Sequence, residues 1–189
     1  MYDAIGTAGV SCLVLLTARF APEVGAWVNS ARAGDWAAGT ARWLSGALLD
    51  EPFAHSPWRH ERGGLVDIGP HLFDLLEAAL GPVVEVPAAT HGEHDVWQVM
   101  FAHDSGALST ATMSIGLPIE PNVVDLTLYG RAGRLSLPER TTPTSACYAA
   151  LLDELAAMVG AGRTEHPLDV RHGLHLQRLI DRVERLALG

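Results

Sequence analysis

Five short apolar segments between residues 83 and 137 constrain the fold more than any other feature of this sequence. The pattern predicts one β-strand in each, over residues 83–90, 96–102, 108–115, 123–129 and 134–137. The breaks between these segments carry turn-forming residues such as glycine, proline, aspartate and serine. Because parallel neighbours need long crossover connections, the short breaks predict a largely antiparallel sheet.

The segments on both sides of this sheet show helical periodicity. Helices are predicted over residues 23–33, 68–80, 145–159 and 170–188. The helix at 68–80 is the clearest, because its apolar residues form one stripe and Gly81 and Pro82 end the pattern. Pro70 is tolerated only in a first helical turn, which places the predicted N-cap near Asp67, a favoured capping residue.

Three other segments near the N-terminus complete the pattern. The continuous apolar run at residues 10–16 suits a strand that is buried on both faces. A further strand is predicted at residues 40–49. The prolines, histidines and paired glycines of residues 50–64 indicate a loop.

These elements together predict an α+β fold, with an open, mainly antiparallel β-sheet and the helices on one face. The other face of the sheet must then meet either water or a partner. We expect Trp97, Val99 or their neighbours to form an exposed apolar patch on that face. Such patches normally mark an interface, so the sequence predicts association through the open face.

The composition argues against several classes of function. The 13 basic and 22 acidic side chains give a net charge of -9, which offers no electrostatic footprint for nucleic acid or an anionic membrane. All 13 basic residues are arginine. No side chain can therefore supply the primary amine of a Schiff base, a pyridoxal-phosphate anchor or a phosphate-binding loop.

The N-terminal sequence and the cysteines bear on localisation. The apolar run at residues 10–16 is much shorter than a membrane span, and no arginine precedes it as in a secretory signal. Cys12 and Cys147 are far apart and lie in apolar surroundings, which indicates reduced thiols rather than a disulfide framework. We therefore predict a cytoplasmic protein.

Three polar residues near the start of the predicted helix 68–80 form the candidate site. Asp67, His71 and Asp74 have the spacing i, i+4 and i+7, which places them within about 60° of one another on a helix. A histidine can exchange a proton with a hydroxyl group near neutral pH, and a neighbouring carboxylate can orient its ring. Spacing alone is explained more simply by a cap and two solvated first-turn residues.

Two other groups of histidines are weaker candidates. Residues 91–95 contain two histidines and two acidic residues, but their spacing matches no standard metal site and indicates a solvated β-turn. His172 and His175 are three residues apart on the last predicted helix, with no further ligand nearby in sequence. The sequence therefore predicts no metal site.

The segments around the candidate site resemble a known family. Four pieces occur in order with the polar residues, namely Arg19-Phe20-x-Pro22, Trp58-Arg59, Gly63-Gly64-Leu65 and Leu80-Gly81-Pro82. This pattern is similar to that of the Gfo/Idh/MocA family of NAD(P)-dependent oxidoreductases, from about residue 8 to the C-terminus. In particular, the chain resembles the C-terminal domain of these enzymes, which is like that of glyceraldehyde-3-phosphate dehydrogenase.

The resemblance implies roles for six residues. Asp67 and His71 match the family's catalytic pair, in which the histidine relays the substrate proton. Asp74 matches a position that contacts substrate hydroxyl groups. The residues that would line or brace the substrate cleft are Arg19, Trp58 and Arg59. A packing or ion-pair role explains these last three equally well.

The sequence departs from the family at its N-terminus. Complete members begin with a Rossmann domain that carries a glycine-rich turn and a catalytic lysine, but residues 6–9 do not form G-x-G-x-x-G and the chain has no lysine. We predict that residues 1–18 are the residual last strand of such a domain and that residues 19–189 are the C-terminal domain. NAD or NADP is the cofactor of the complete family enzyme, and we predict that this chain alone binds neither.

The resemblance implies an oxidoreductase domain that acts on a sugar, a polyol or a related alcohol or carbonyl compound and that is incomplete alone. Its Rossmann half could be a separate partner encoded by a split gene, or the reading frame could be truncated. The alternative is a non-catalytic oligomerisation or ligand-binding module. Family members commonly oligomerise through the open sheet face, so a homo-oligomer is expected in either case.

Overall fold

A computed structural model of the chain describes residues 2–131 and 133–189. The helices are α1 (Tyr2–Ala8), α2 (Pro22–Arg32), α3 (Pro57–Asp67), α4 (Gly69–Leu80), α5 (Thr144–Gly160) and α6 (Val170–Leu188). The strands are β1 (Trp36–Leu44), β2 (Val83–Gly92), β3 (Val96–His103), β4 (Leu108–Ser114), β5 (Val123–Gly130) and β6 (Gly133–Ser136). Two short 3-10 helices cover Thr17–Phe20 and Glu93–Asp95.

The strands form one six-stranded sheet in the order β2-β3-β4-β1-β5-β6. Every neighbouring pair is antiparallel except β1 and β4, which run parallel with Ala38 opposite Leu108. The five strands predicted between residues 83 and 137 are all present, and the helices predicted at the two ends of the chain lie within a residue or two of their expected positions. The predicted α+β fold with a mainly antiparallel open sheet is confirmed.

Alternating side chains place the main core between the sheet and the helices. Along β3, Val99 and Phe101 are buried, and Phe73 of α4 packs its ring edge-on against Phe101 with the ring centroids 4.8 Å apart. Leu126 and Leu128 of β5 are fully buried on the same side. Burial of these large apolar side chains is the main contribution that holds α4 against the sheet.

The open face of the sheet carries both threonine and apolar side chains. Trp97 and Val99 are 4% and 3% exposed and lie beneath the helices. The prediction is therefore wrong for Trp97 and Val99, because the alternation of the strand points them toward the core, whereas the neighbouring Met100 and Leu108 are 40% and 51% exposed. The open face also carries threonines 40, 110, 112 and 127. The side chains of Met100 and Leu108 are exposed among these threonines.

Residues 10–16 do not form the predicted strand. The segment is extended, but in the described part of the chain no strand pairs with it, and its one backbone bond to a distant residue runs from the Val14 N–H to the Leu168 carbonyl. Val10 and Leu15 are exposed rather than buried on both faces. A continuous apolar run forms a buried strand only where a neighbouring strand satisfies its backbone. The division of the chain at residue 18 stays a prediction.

The segment before α4 also differs from expectation. The loop prediction is correct for residues 50–56, but Pro57 begins α3, a position where proline is favoured because a first-turn residue has no use for its N–H. Strand β1 begins and ends about four residues earlier than predicted.

Within the described residues, no helix is long and apolar enough to span a membrane.

Candidate active site

The corner between α3 and α4 positions the candidate catalytic residues. Asp67 is the last residue of α3, and Ile68 occupies the cap position of α4. The predicted N-cap position near Asp67 is correct to within one residue, but the Asp67 side chain does not cap the helix. Helix α4 follows α3 almost directly, and the Ile68 carbonyl accepts the N–H groups of His71 and Leu72. The Asp67 carboxylate accepts a hydrogen bond from the Nε of Arg59 at 2.9 Å instead.

A carboxylate from the sheet fixes the kink that precedes this corner. Gly63 has a positive φ of 65°, and a Cβ atom there would lie 2.5 Å from Oδ1 of Asp95. The Gly64 N–H donates to Oδ2 of Asp95 at 2.6 Å, and the Trp97 indole N–H donates to Oδ1 at 2.8 Å. The paired glycines let the helix backbone approach this carboxylate closely.

Sequence reasoning missed the role of Asp95. The predicted solvated turn is wrong for this residue, whose side chain is only 18% exposed. Its backbone, like that of His94, has a positive φ, which is uncommon for residues other than glycine and marks a constrained turn. The Gly63-Gly64 pair was the available signal, but its partner lies 31 residues away and no local pattern connects them.

A cavity of about 820 Å³ opens beside Asp67 and His71. Its walls come from the ends of β1 and β5, the first turns of α4, the 3-10 helix at Thr17–Phe20 and the connection between β6 and α5. The apolar part includes Trp43, Leu72, Leu75 and Val124, and the side chain of Val124 is 53% exposed because the helices leave this end of the sheet uncovered. The polar and charged lining residues are Thr17, Ser45, Arg59, Asp67, His71, Asn122, Asp125, Glu139, Arg140 and Thr144.

His71 is the titratable base of this cavity. Burial lowers the pKa of its imidazole below 6.5; the charges of Asp74 and Asp67 act in the opposite direction, and that of Arg140 adds to the lowering. The ring lies tilted against Trp43, with the centroids 6.0 Å apart. A histidine with a lowered pKa is neutral at pH 7 and has a nitrogen lone pair available to accept a proton.

Arg59 connects Asp67 to two aromatic rings. Its guanidinium lies 4.4 Å from the ring centroids of both Phe53 and Trp58, while its Nε donates to Asp67. Arg59 and Phe53 line the cavity, whereas Trp58 is 43% exposed and lies outside the lining. Trp58 therefore braces Arg59, and a direct contact of Trp58 with substrate stays a prediction.

Asp74 and Arg19 form a separate, buried cluster. The Asp74 carboxylate accepts hydrogen bonds from Nη1 of Arg19 and Nε2 of His172, both at 2.8 Å, and its side chain is 2% exposed. One turn later on α4, Glu77 is bonded to Nε2 of His175 at 2.6 Å. None of these side chains lines the cavity. The two histidines on α6, weak ligand candidates in the sequence, are thus partners of α4, and a substrate contact for Asp74 or Arg19 stays a prediction.

The model of the GFO/IDH/MocA C-terminal domain family matches residues 23–136. The chain belongs to this family. The matched region runs from α2 to β6 and includes the α3–α4 corner with Asp67 and His71, whereas Arg19, Arg140 and the α6 histidines lie outside it. A search among curated proteins found no match.

Solved structures of Gfo/Idh/MocA-type oxidoreductases share this fold. Levoglucosan dehydrogenase, in complex with NADH and levoglucosan, is similar with a TM-score of 0.80 and 13% identity over 98% of this chain and 66% of its own. D-galactose-1-dehydrogenase from Rhizobium etli has a TM-score of 0.78 and 17% identity over 98% of this chain and 63% of its own. An oxidoreductase from Agrobacterium radiobacter, in complex with NAD+, L-tartaric acid and magnesium, has a TM-score of 0.73 and 18% identity over 98% of this chain and 65% of its own. At these identities the likeness establishes the fold alone, and this chain spans less than two thirds of each of these structures.

Residues 2–20 of this family member do not form the local structure of a dinucleotide-binding unit. A nucleotide-binding unit needs a strand, a glycine-rich turn and a helix in succession. Residues 2–20 instead contain helix α1, an extended segment and a 3-10 turn. Residues 2–131 and 133–189 contain no group of three or more histidine, cysteine, aspartate or glutamate side chains arranged to hold a metal ion.

Proposed function

We propose that this chain is the substrate-binding part of an oxidoreductase that acts on a hydroxyl group of a sugar or polyol, or on the corresponding carbonyl. The observation that carries the proposal is the cavity of about 820 Å³ that contains a histidine of lowered pKa beside a positioned carboxylate. A cavity of this size accommodates a monosaccharide with room for a second reactant. Membership of an oxidoreductase family supports the same conclusion.

His71 is the proposed proton acceptor for alcohol oxidation. Its neutral ring takes the proton of the substrate hydroxyl group, and in the reverse direction the imidazolium returns a proton to the carbonyl oxygen. The charges of Asp74 and Asp67 stabilise that imidazolium, and the bond from Arg59 holds the Asp67 carboxylate in place. The positions of these groups are set by the Gly63 kink and the Asp95 carboxylate.

NAD or NADP is the proposed cofactor of the complete enzyme, and we assign it to a separate nucleotide-binding domain. Similar structures are bound to NAD+ or NADH, which supports the choice of cofactor. Because residues 2–20 do not form a dinucleotide-binding unit, the proposal assigns no step of cofactor chemistry to this chain.

Helix α5 is the proposed docking surface for that domain. Tyr148, Leu152 and Val159 are spaced along one side of the helix and are 44%, 60% and 63% exposed. The 3-10 helix at Thr17–Phe20 packs against α5, and the exposed Leu15 lies just before this 3-10 helix in the sequence. An apolar stripe of this kind normally marks an interface. The open sheet face, with Met100 and Leu108, is the proposed surface for homo-oligomers.

Activity of a completed enzyme tests the catalytic proposal. A nucleotide-binding domain of the family would be fused ahead of Ala8, and reduction of NAD(P) would be followed with a panel of sugars and polyols. We expect His71→Ala to lower kcat by about 10²–10⁴, the contribution of a general base. His55→Ala is the matched control, since the His55 side chain is 88% exposed and is not among the residues that line the cavity. Equal activity of the two variants would refute the role of His71.

A further inference from the structure

Arg140 is a cation of the cavity wall that no carboxylate neutralises. It lies in the connection between β6 and α5, and its Nη2 donates to Oγ1 of Thr144 at 3.0 Å. Its Nη1 makes only a long contact of 3.9 Å with the sulfur of Cys147. Within residues 2–131 and 133–189, no aspartate or glutamate oxygen lies within the 4.0 Å of a salt bridge from its guanidinium.

Arg59, Asp67 and Asp125, which also line the cavity, each have a partner of opposite charge. Arg59, the other arginine of the cavity lining, is bonded to Asp67, and Asp125 is bonded to Arg42 through two hydrogen bonds. Glu139 lines the cavity next to Arg140 but makes no salt bridge with it. A guanidinium without a partner carboxylate keeps its parallel N–H donors for an external oxyanion.

The backbone that follows Arg140, whose side chain is exposed, is held from outside the cavity. The Glu23 carboxylate, in the first turn of α2, accepts the backbone N–H groups of Thr141 and Thr142 and the hydroxyl group of Thr142. The segment that carries Arg140 is therefore tied to α2 before any ligand binds. This restraint on the backbone reduces the entropy that the segment loses when a ligand binds.

Arg140 and His71 face the same cavity. Both side chains contribute to its lining, and the charge of Arg140 is close enough to act on the His71 imidazole. A ligand that reaches from one to the other would therefore have its reacting hydroxyl group at His71 and a second group at Arg140. For that second group, a guanidinium prefers the two oxygens of a carboxylate or a phosphate.

We propose that the cavity binds a sugar or polyol that carries an oxyanion, a carboxylate or a phosphate, and that Arg140 binds this group. The inference rests on the proposed function, since it specifies the ligand of the same cavity. Arg140 is thereby the specificity-determining residue: it separates acidic substrates from their neutral counterparts, while His71 is the proton acceptor for both.

Calorimetric titration of the 189-residue chain tests this proposal with three probes: D-glucuronate, D-glucose 6-phosphate and neutral D-glucose. We expect at least one of the two anions to bind about tenfold or more tightly than glucose, as befits a hydrogen bond to a charged group. The tighter of the two identifies the oxyanion as a carboxylate or a phosphate. Arg140→Gln should abolish the preference, and Arg140→Lys should retain part of it.

Two further variants serve as controls. Arg134→Gln removes an arginine of β6 that does not line the cavity and should keep the preference. Glu139→Gln should strengthen anion binding, because it removes a negative charge from the same wall. Far-ultraviolet circular dichroism checks the fold of each variant, and the Lys variant decides the outcome if the Gln variant is unfolded.

The outcomes separate this inference from the proposed function. Equal binding of glucose and the anions, or a preference that survives Arg140→Gln, overturns the inference and leaves the proposed function intact. Failure of all three probes to bind at millimolar concentration counts against both. An Arg140-dependent preference in a chain whose completed enzyme is unaffected by His71→Ala supports the inference and overturns the catalytic proposal.

Discussion

The two sides of helix α4 carry similar polar residues in different environments. On the side that faces α6, the carboxylates of Asp74 and Glu77 are buried and bonded to His172 and His175 at 2.8 and 2.6 Å. On the side that faces the cavity, His71 lies beside the half-buried Asp67. One side thus satisfies its polar groups within the protein, and the other leaves a histidine facing an open cavity.

This difference shows that the motif D-x-G-x-H-x-x-D places its histidine and its second aspartate in two different environments. A buried carboxylate persists only if nearby groups compensate its charge, which Arg19 and His172 do for Asp74. The proposed role of His71 as a general base needs access to a ligand, and His71 lines the cavity. Residues one helical turn apart can therefore have different surroundings, a buried ion-pair cluster for Asp74 and an open cavity for His71.

The largest expected effect distinguishes the two aspartates of the motif. Asp74→Ala leaves Arg19 buried without a counter-charge, and we expect it to lower the free energy of unfolding by about 3–5 kcal/mol. Asp67→Ala breaks the more exposed pair with Arg59 and should cost about 1 kcal/mol. Urea denaturation of both variants measures the difference. Similar losses for the two would break the comparison between the sides of α4.

A substitution at the kink tests what positions the cavity side. Gly63→Ala would place a Cβ atom against Asp95 at a positive φ, and we expect it to lower the free energy of unfolding by about 1–3 kcal/mol. In Gly160→Ala nothing lies within 4 Å of the new Cβ and φ is not positive, so this control should be neutral or slightly stabilising. Thermal unfolding of the two variants measures this difference. Equal stability would contradict the idea that the contact with Asp95 constrains the corner between α3 and α4.

The pKa of His71 gives a smaller effect. NMR titration should give a pKa below 6.5 in the folded chain, because burial disfavours the imidazolium. Between that pKa and 6.5 the unfolded chain binds more protons, so this group makes stability rise with pH and its contribution is lost as the pH falls. Arg140→Gln should raise the pKa of His71. A value at or above 6.5 would show that burial does not outweigh the charges of Asp74 and Asp67, and would weaken the case for a neutral base.

The outer wall of the cavity gives the smallest expected effect. Hydrogen bonds from the Thr142 side chain and backbone lower the pKa of Glu23 from 4.5 to about 2. The bonded carboxylate therefore stabilises the fold fully above about pH 4.5, and this contribution is lost as the pH falls through about 2. Chemical denaturation as a function of pH should show the wild type and Glu23→Gln converging over this window. A constant difference would contradict the assignment.

The sequence predicted the sheet well because period-two patterns and turn residues are local signals. It predicted helix α4 for the same reason. It did not predict which face of the sheet Trp97 occupies, since alternation defines two faces without saying which one the helices cover. The strand at residues 10–16 was also wrong, because pairing depends on a neighbour that the segment itself does not reveal.

The candidate site was predictable in part. Asp67 and His71 were identifiable from a motif, and the structure places both at one cavity. Asp95, Arg140 and His172 were not, because each acts through contacts with residues far away in sequence. Likewise, helical spacing placed Asp74 with His71, whereas burial against α6 decided its surroundings. Tertiary contacts of this kind override local geometry.

The parallel pairing of β1 with β4 has a consequence for folding. Strands β2, β3 and β4 follow one another along the chain and pair in that order, so they can form by closing short loops. Strand β1 comes first in the sequence yet lies between β4 and β5, and its contacts form only after most of the chain is available. We expect the meander to assemble early and β1 to insert late, as the slow, non-local step. Ala41→Gly in β1 should then speed unfolding and leave the folding rate nearly unchanged in a chevron measurement, which makes the centre of the finished sheet the last part of it to form.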